Sequence, residues 1–390
     1  MSPDHPNKQG DGLLITNEQR LNLRQWAVVL VVVTLVALVT PRLWKHLERF
    51  DTACDYRIPY QLSNDYWLFE WRLQQSAAAK PIVVLGDSVV WGEYVKADGT
   101  LPHFLNQQAA QPERFINAGV NGLFPLSLEG LLRHYGGALH RRKVIVVCNL
   151  LWLSSPKADM QDDKAQDLNH AALMPQFFPD IPSYQPDASS RLSAVIGQHI
   201  GLFGWANHLQ CAYFNQQSLT RWTLDADPNQ PLCYPNTYKN PLSQITLSVP
   251  SGLADDAVRG PGSGRHKPWT TAGSRQTSFE WVKLDSSLQW AALQRSVGLL
   301  RARGNDVLVL VAPFNEPMMT EPGVLAYRKL RGGISSWLDQ QHVPHVVPES
   351  LPSELYADAS HPLSAGYELL ARRVYQDDAF QAWYIAGPSL

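Results

Sequence analysis

Pro81-Ile82-Val83-Val84-Leu85-Gly86-Asp87-Ser88 is the segment from which the architecture of this chain follows. Its apolar residues do not alternate with polar ones, which is typical of a parallel strand that is buried on both faces. The run stops abruptly at a glycine, an aspartate and a serine, and open α/β sheets place their sites at the carboxyl ends of such strands. The segment therefore predicts an α/β protein that presents the Ser88 hydroxyl at the carboxyl edge of its sheet.

Further apolar runs predict the other strands of a parallel sheet. They cover residues 115–118, 144–148, 307–312 and 345–347. Helical patterns fall between or after these runs, and the clearest of them cover residues 126–135, 288–303 and 364–375. Strands that alternate with helices predict three layers, in which a parallel sheet lies between two layers of helices.

A second polar segment, Asp358-Ala359-Ser360-His361, lies near the C-terminus. A serine becomes a nucleophile at neutral pH only when a base takes its proton as it attacks. An aspartate and a histidine three residues apart can supply that base and the group that orients it, as in a Ser-His-Asp triad. Ordinary roles are open to the same residues: Ser88 could cap the helix after its strand, His361 could lie on the surface, and Asp358 could belong to a turn.

Asn315 follows the strand predicted at residues 307–312, so it is expected at the same sheet edge as Ser88. Asparagine is favoured where helices start. The expected role of Asn315 is therefore to cap the helix that follows it.

Four blocks of the chain occur in a characteristic order. They are Gly86-Asp87-Ser88, Asn117-Ala118-Gly119-Val120-Asn121-Gly122, Val146-Val147-Cys148-Asn149 and Asp358-Ala359-Ser360-His361. Taken together, they resemble the SGNH (GDSL-like) hydrolase superfamily, and they span most of the chain from residue 80 onward. The resemblance implies a flavodoxin-like three-layer α/β/α sandwich, with Ser88 as the nucleophile, His361 as the base and Asp358 as the residue that orients the base.

The resemblance also implies an oxyanion hole, a set of donors that stabilises the negative oxygen of a tetrahedral intermediate. Its donors would be the backbone N–H groups of Ser88 and Gly122 and the side chain of Asn149. The third block departs from the family pattern Gly-x-Asn-Asp, because Val147 replaces the glycine and Leu150 replaces the aspartate. The residue after the serine also differs from the leucine of the GDSL name.

An uncharged apolar run at residues 26–40 predicts a membrane anchor. A helix that spans a bilayer needs roughly 20 residues, and this run reaches that length when Leu43 and Trp44 are included and Arg24 extends toward the lipid headgroups. The predicted transmembrane signal anchor therefore covers residues 26–44. A cleaved signal peptide and a buried core helix are the alternatives, although no A-x-A-like cleavage site follows the run.

The anchor divides the chain into parts. Residues 1–25 form a polar N-terminal tail, residues 45–79 a helical connector rich in aromatic side chains, and residues 80–390 the SGNH hydrolase-like domain. Basic residues flank the anchor on both sides, so their distribution does not set the topology. The simplest arrangement is a single-pass membrane protein that keeps the tail in the cytoplasm and exports the catalytic domain.

Between residue 154 and about residue 278 the alternation of strands and helices breaks down. A structureless loop of this length would be unusual, so part of this insertion is expected to fold as a cap over the site. Residues 195–205 at its centre are expected to form a packed helix, with contact to lipid as the alternative. Cys211 and Cys233 also lie here, where a disulfide in an oxidising compartment would be natural.

Composition excludes some classes of partner. The net charge of -2 over 390 residues is spread along the sequence without a basic block, which argues against nucleic acid. The 12 histidines show no spacing that is typical of a metal site. The sequence therefore predicts neither a metal nor a cofactor.

Together these features predict a serine esterase that acts on acyl esters, most simply acetyl esters, of cell-envelope glycans through an acyl-serine intermediate. An O-acyltransferase would use the same triad and would differ only in whether a sugar hydroxyl or water resolves the intermediate. A non-catalytic assembly subunit with the same fold is the third interpretation. The expected partners are an acylated carbohydrate or other ester substrate, the lipid bilayer and, for transfer, a membrane acyl-donor protein.

Overall fold

The computed structural model of this protein describes residues 21–224, 239–250, 267–272 and 275–386. Within these ranges the chain folds as an α/β structure around one parallel sheet. The strands are β1 (Ile82–Gly86), β2 (Phe115–Gly119), β3 (Lys143–Cys148), β4 (Asp306–Val311) and β5 (His345–Val346). Each strand end lies within one residue of the run that predicts it, so the sequence prediction of a parallel α/β sheet is confirmed.

Helices precede, follow and connect the strands. They are α1 (Leu23–Leu47), α2 (Tyr66–Gln75), α3 (Ser88–Trp91), α4 (Leu101–Gln108), α5 (Pro125–Tyr135), α6 (Ala188–His199), α7 (Gly201–Tyr213), α8 (Leu219–Leu224), α9 (Leu288–Ala302), α10 (Glu321–Gln340), α11 (Ser364–Gln376) and α12 (Asp378–Ile385). The helices predicted from periodicity correspond to α5, α9 and α11.

The order of strands across the sheet is β2-β1-β3-β4-β5, and each neighbouring pair is parallel. The chain leaves β1 toward β2 on one side and then returns to β3 on the other. Ligands of open α/β sheets bind outside the carboxyl ends of the strands where the order reverses in this way. Ser88 directly follows β1 and therefore stands at that point.

The two faces of the sheet support separate cores, because successive strand residues point to opposite faces. Val83 and Leu85 of β1 belong to the core that includes side chains of α2, α5, α9 and α10. Ile82 and Val84 belong to the core that includes side chains of α3, α4, α11 and α12. Helices thus cover both faces, which is compatible with the three layers expected from the sequence.

Helix α1 is long and apolar enough to cross a membrane. Its most apolar window has a mean hydropathy of 2.2 and is only 6% buried. The anchor predicted at residues 26–44 lies within this helix, and a core helix would instead be mostly buried. The last turns of α1 contact the domain, where Lys45 Nζ lies 3.0 Å from a carboxylate oxygen of Glu70 in α2.

The segment between α1 and β1 contributes to the core of the domain. Helix α2 begins after Asp65, whose side chain accepts a backbone N–H of the first turn. The aromatic residues of this helix are buried in the same core as Val83: Tyr66, Trp67, Phe69 and Trp71. The residues that the sequence marks as a connector therefore pack as part of the folded domain.

The insertion contains α6, α7 and α8 in its described part. Helices α6 and α7 are joined by Ile200 alone and contact each other, and this helix pair is called the α6–α7 hairpin below. Helix α7 packs against both α1 and α2. Residues 225–238, 251–266 and 273–274 are not described. Cys233 and the glycine-rich turn at 260–264 lie outside the described residues, so the pairing of Cys211 with Cys233 stays a prediction.

Candidate active site

Ser88, His361 and Asp358 lie together beside the carboxyl end of β1. Ser88 Oγ is 2.8 Å from Nε2 of His361, although the two residues are 273 positions apart in the sequence. Nδ1 of His361 is 2.8 Å from Oδ2 and 2.9 Å from Oδ1 of Asp358. A hydroxyl that meets one imidazole nitrogen, with a carboxylate on the other, is the arrangement of a Ser-His-Asp triad. It allows the imidazole to take a proton from the hydroxyl.

Ser88 is positioned by the tight junction between β1 and the short helix α3. The side chain of Asp87 caps α3, since its Oδ1 accepts the N–H of Val89 at 2.9 Å. Ser88 is therefore the first residue of the helix and not its cap. The capping role that could have explained the serine without catalysis belongs to its neighbour.

Strand β2 holds α3 in place from the side. A Cβ at Gly119 would lie 2.3 Å from the backbone N of Trp91, so only glycine lets the end of β2 approach the helix this closely. The side chain of Asn117 donates to the carbonyl of Val90 at 3.0 Å. Both contacts come from the second motif block, and both fix the helix that carries Ser88.

The loop that carries Asp358 and His361 is held by its own carboxylate and by Asn315. Asp358 Oδ1 accepts the backbone N–H groups of Ser360 and His361, each at 2.9 Å. Asn315 is fully buried; its backbone N–H donates to Ala359 O at 2.8 Å and its side chain donates to Asp358 O at 3.3 Å. Its side chain makes no cap bond to the turn that follows. The expected capping role is therefore wrong, and Asn315 fastens the triad loop instead.

Glu93 and Tyr94, which the sequence analysis did not identify, complete the surroundings of His361. Glu93 Oε2 is 3.9 Å from Nε2 of His361. The ring of Tyr94 meets the imidazole edge-on at 5.3 Å, and its hydroxyl is hydrogen-bonded to Asp358. Gly92 ends α3 with a φ of 89° and turns the chain back toward the histidine. The sequence signal that could have identified Glu93 and Tyr94 is their position directly after Gly92, at the sheet edge that carries Ser88.

Carboxylates surround His361 and control its protonation. Burial alone would lower the pKa of His361, but Asp358, Asp87 and Glu93 outweigh burial and raise this pKa to about 9. Burial raises the pKa of Asp87 and of Glu93. Burial also acts to raise the pKa of Asp358, yet His361 and the backbone N–H groups hold it below its ordinary value. Asp358 is thus the ionised partner, and His361 gains its base form as the pH rises toward 9.

Asn149 follows β3, and its amide is bound to Asp87. Its Nδ2 donates to Asp87 Oδ2 at 2.7 Å, and Trp152 Nε1 donates to the same oxygen at 3.0 Å. Asn149 Oδ1 accepts the N–H of Leu151 at 3.0 Å. These bonds join the ends of β1 and β3 next to Ser88. The amide of Asn149 has two N–H groups, and one of them donates to Asp87. The oxyanion-hole prediction requires the second N–H group to donate to the oxyanion.

Gly122 lies in the loop after β2, with a φ of 73°. A Cβ at this position would lie 2.6 Å from Nδ2 of Asn169, whose side chain would have to shift, and the positive φ itself favours glycine. His170 donates from Nε2 to Asn121 O at 2.7 Å, and its Nδ1 accepts from the Tyr66 hydroxyl at 2.9 Å. Burial lowers the pKa of His170, in agreement with this neutral form. The insertion thus braces the loop of the predicted oxyanion donor.

Ser88 and His361 are largely shielded from water, whereas the Asp358 side chain is 36% exposed. Ser88 is 8% exposed and His361 is 5% exposed. A second part of the insertion passes nearby, where the backbone N–H of Trp269 donates to Tyr356 O at 2.8 Å. Among the described residues, no group of three or more His, Cys, Asp or Glu side chains could hold a metal ion.

No family model matches the chain, and no curated protein matches it. The resemblance to the SGNH hydrolases therefore depends on the four motif blocks and on the contacts among their residues.

Proposed function

We propose that this protein is a serine esterase that acts on acyl esters, most simply acetyl esters, of cell-envelope glycans. The observation that carries the proposal is the 2.8 Å contact between Ser88 Oγ and His361 Nε2, in an imidazole held by Asp358 on its other nitrogen. A serine without a base is inert at neutral pH. This one has a base in contact and an orienting carboxylate behind that base.

The proposed chemistry uses each group in turn. His361 Nε2 takes the Ser88 proton as Oγ attacks the ester carbonyl carbon, and the carbonyl electron pair moves to its oxygen. The backbone N–H groups of Ser88 and Gly122 and the amide of Asn149 stabilise that oxyanion. Its collapse expels the sugar alkoxide, which takes the proton from His361 and leaves an acyl-serine. Water then attacks the acyl-serine carbonyl carbon while His361 takes its proton. Collapse of this second intermediate returns the proton to Ser88 Oγ and releases the acid.

The fold supports the same family assignment. The strand order β2-β1-β3-β4-β5 is that of flavodoxin-like doubly wound sheets. The serine, asparagine and glycine of the motif blocks follow β1, β3 and β2, all at one edge. A membrane span through α1 would hold the domain near the bilayer. We infer an exported domain with a short cytoplasmic tail, which would face envelope glycans.

Labelling with a fluorophosphonate tests the proposal on the full chain in detergent. We expect covalent modification at Ser88, and we expect Ser88→Ala to abolish both labelling and hydrolysis of p-nitrophenyl acetate. Ser360→Ala is the matched control, because Ser360 is buried 3.4 Å from the other nitrogen of His361 and should be dispensable. Undiminished labelling of Ser88→Ala would disprove the assignment, and failure of the intact protein to label would favour a non-catalytic assembly subunit.

The shielding of Ser88 favours a second candidate, an O-acyltransferase that uses the same triad. A site that excludes water protects a reactive intermediate until the intended acceptor enters. We expect rapid mixing with an activated acetyl ester to give a burst followed by slow turnover, and glycan acceptors to accelerate deacylation with formation of acetylated sugar. Fast turnover that no acceptor changes would rule out transfer and leave the esterase.

A further inference from the structure

The outer face of the α6–α7 hairpin is apolar and exposed. Leu192, Ile196, Ile200 and Phe203 are between 37% and 55% exposed. Leu192 and Ile196 are four residues apart on one face of α6, Ile200 joins the two helices, and Phe203 lies in the first turn of α7. The opposite face of α6 lines a cleft of about 400 Å³ against α2 and α5, together with Phe203, so Leu192 and Ile196 are the apolar residues turned away from the domain.

The same part of the chain has no ionisable acidic residue and no lysine or arginine over a long distance. None occurs between Arg191 and Arg221. Surface helices of soluble domains usually carry charges on their solvent face. The hairpin therefore lacks the residues that would make its outer face favourable in water.

A loop with two exposed aromatic residues lies beside the hairpin. Phe178 is 91% exposed and Phe177 is 54% exposed. The guanidinium of Arg191 in α6 donates to the carbonyl of Gln176, so the loop is fastened to the start of the hairpin. The loop extends the apolar surface to six large side chains.

The junction between α6 and α7 lies beside helix α1. The corner of the hairpin, at His199 and Gly201, lines one cleft together with Ala37 and Leu38 of α1. Ala37 and Leu38 belong to the uncharged run of the predicted anchor. The hairpin corner therefore lies alongside the last turns of the segment that would cross the bilayer.

The hairpin is locked to α1 by a buried cluster of charges. His208 of α7 is fully buried, with Nε2 2.8 Å from Glu48 Oε2 and Nδ1 2.7 Å from Asp65 Oδ2. Glu48 directly follows α1 and Asp65 caps α2, so the imidazole joins three helices. Trp44 of α1 also packs on Trp205 of α7, with ring centroids 5.4 Å apart. The apolar face cannot turn away from α1 without breaking these contacts.

We propose that the α6–α7 hairpin and the Phe177–Phe178 loop lie in the surface of the bilayer that α1 crosses. Large exposed apolar patches mark interaction sites, and helices with an exposed face of leucine and aromatic residues lie with that face in the headgroup and acyl boundary. The occupant is lipid, because residues 192–220 carry no Asp, Glu, Lys or Arg and α7 is held in a fixed orientation beside the end of the helix that would cross the bilayer. This inference depends on the proposed membrane span and not on the chemistry of Ser88.

Photocrosslinking of the full chain in vesicles of phosphatidylcholine and phosphatidylglycerol tests the proposal. Benzoylphenylalanine replaces Phe178 or Phe203, which keeps an aromatic side chain at each position. The same probe at Val33 in α1 is the positive control. At Leu325 of α10, which is 64% exposed, it is the control for an exposed apolar residue on another element.

We expect phospholipid adducts at positions 178 and 203, detected by mass spectrometry, with yields close to that at Val33 and several-fold above that at Leu325. If Val33 gives adducts but the yields at positions 178 and 203 are no higher than the yield at Leu325, the hairpin faces water and the proposal is overturned. Adducts to a second polypeptide in native membranes, without lipid adducts, would equally overturn it in favour of a protein partner. Fluorophosphonate labelling of the same samples reports independently on Ser88.

Discussion

Two histidines of this molecule are buried against aspartates, one in the candidate site and one beside the end of the apolar helix α1. Nδ1 of His361 is 2.8 Å from Asp358, and Nδ1 of His208 is 2.7 Å from Asp65. Burial acts to lower both pKa values, and neighbouring carboxylates raise each to about 9. The two imidazoles are therefore alike in the aspartate that contacts Nδ1 and in their raised pKa values.

The two imidazoles differ in the group that meets Nε2. His361 faces the hydroxyl of Ser88 at 2.8 Å, whereas His208 faces the carboxylate of Glu48 at 2.8 Å. A hydroxyl can lose its proton to the ring and attack a carbonyl, but a carboxylate can only hold the ring in an ion pair. The comparison teaches that a carboxylate-oriented, buried histidine is not a sign of catalysis by itself. The group that contacts Nε2 determines whether such a histidine can act as a base in catalysis.

Replacement of each histidine by alanine should separate the two roles with the largest effect. We expect His361→Ala to lower kcat for p-nitrophenyl acetate by about 10³-fold or more, because triad members act as a unit. We expect His208→Ala to leave kcat within a few-fold but to lower the free energy of unfolding by about 3–5 kcal/mol, since it leaves two buried carboxylates unpaired. Turnover and urea unfolding in detergent measure the two quantities.

The outcome that would break the comparison is a folded His208→Ala protein with as little activity as His361→Ala. The cluster of His208, Glu48 and Asp65 would then be coupled to the chemistry. Equal loss of stability in both variants would show instead that His361 serves mainly as a structural ion pair.

Asn149 gives a smaller, more specific test of the site around His361. Removal of one oxyanion donor typically slows acyl transfer by about 100-fold, and we expect this loss of kcat in Asn149→Ala. Asn149 also binds Asp87, so the variant alone is ambiguous. Trp152→Phe removes a bond to the same Asp87 oxygen without removing an oxyanion donor, and we expect it to lose only a few-fold. Equal losses in the two variants would assign the role of Asn149 to Asp87 alone.

The strands were predictable because each is a short, uninterrupted apolar run between turn residues. The run at 115–118 became Phe115–Gly119, and the run at 345–347 became His345–Val346. The order of the strands was not predictable in this way, because it depends on where each crossover helix packs. Residues 195–205 were expected as one packed helix, but the helix breaks at Ile200, and the apolar pattern did not distinguish the exposed face of α6 from a buried one.

Within the candidate site, sequence found the residues that belong to short motifs. Ser88 and the pair Asp358 and His361 are local patterns, and the structure brings them into contact. Asn315 was assigned to a helix cap because capping is a local rule, whereas its actual contacts lie 43 and 44 residues away. Glu93 had no motif at all. Contacts of this kind depend on the folded sheet edge, which a single sequence does not display.

The smallest expected effect that distinguishes the two histidines is a shift in the pH dependence of activity or of stability. Glu93 lies 3.9 Å from Nε2 of His361 and helps to raise the pKa of that imidazole. Glu93→Gln removes one of the carboxylates that favour the charged ring, so the base form of His361 should appear at lower pH. We expect the rising limb of kcat/KM against pH to move down by about one unit. Glu368→Gln, on the exposed side of α11, should leave the limb in place.

The titration of His208 should appear in stability instead of rate. Its pKa rises from 6.5 to about 9 on folding, so its ion pairs contribute stability fully below pH 6.5, and that contribution is lost as the pH rises through 9. We expect His208→Gln to flatten the fall in unfolding free energy between pH 7 and pH 10, and Glu93→Gln to change the rate profile without this flattening. A rate limb in Glu93→Gln that stayed fixed, or moved to higher pH, would mean that the limb does not report His361. The pH dependence of the rate tests the prediction for His361, and the pH dependence of stability tests the prediction for His208. Either prediction can therefore fail while the other holds.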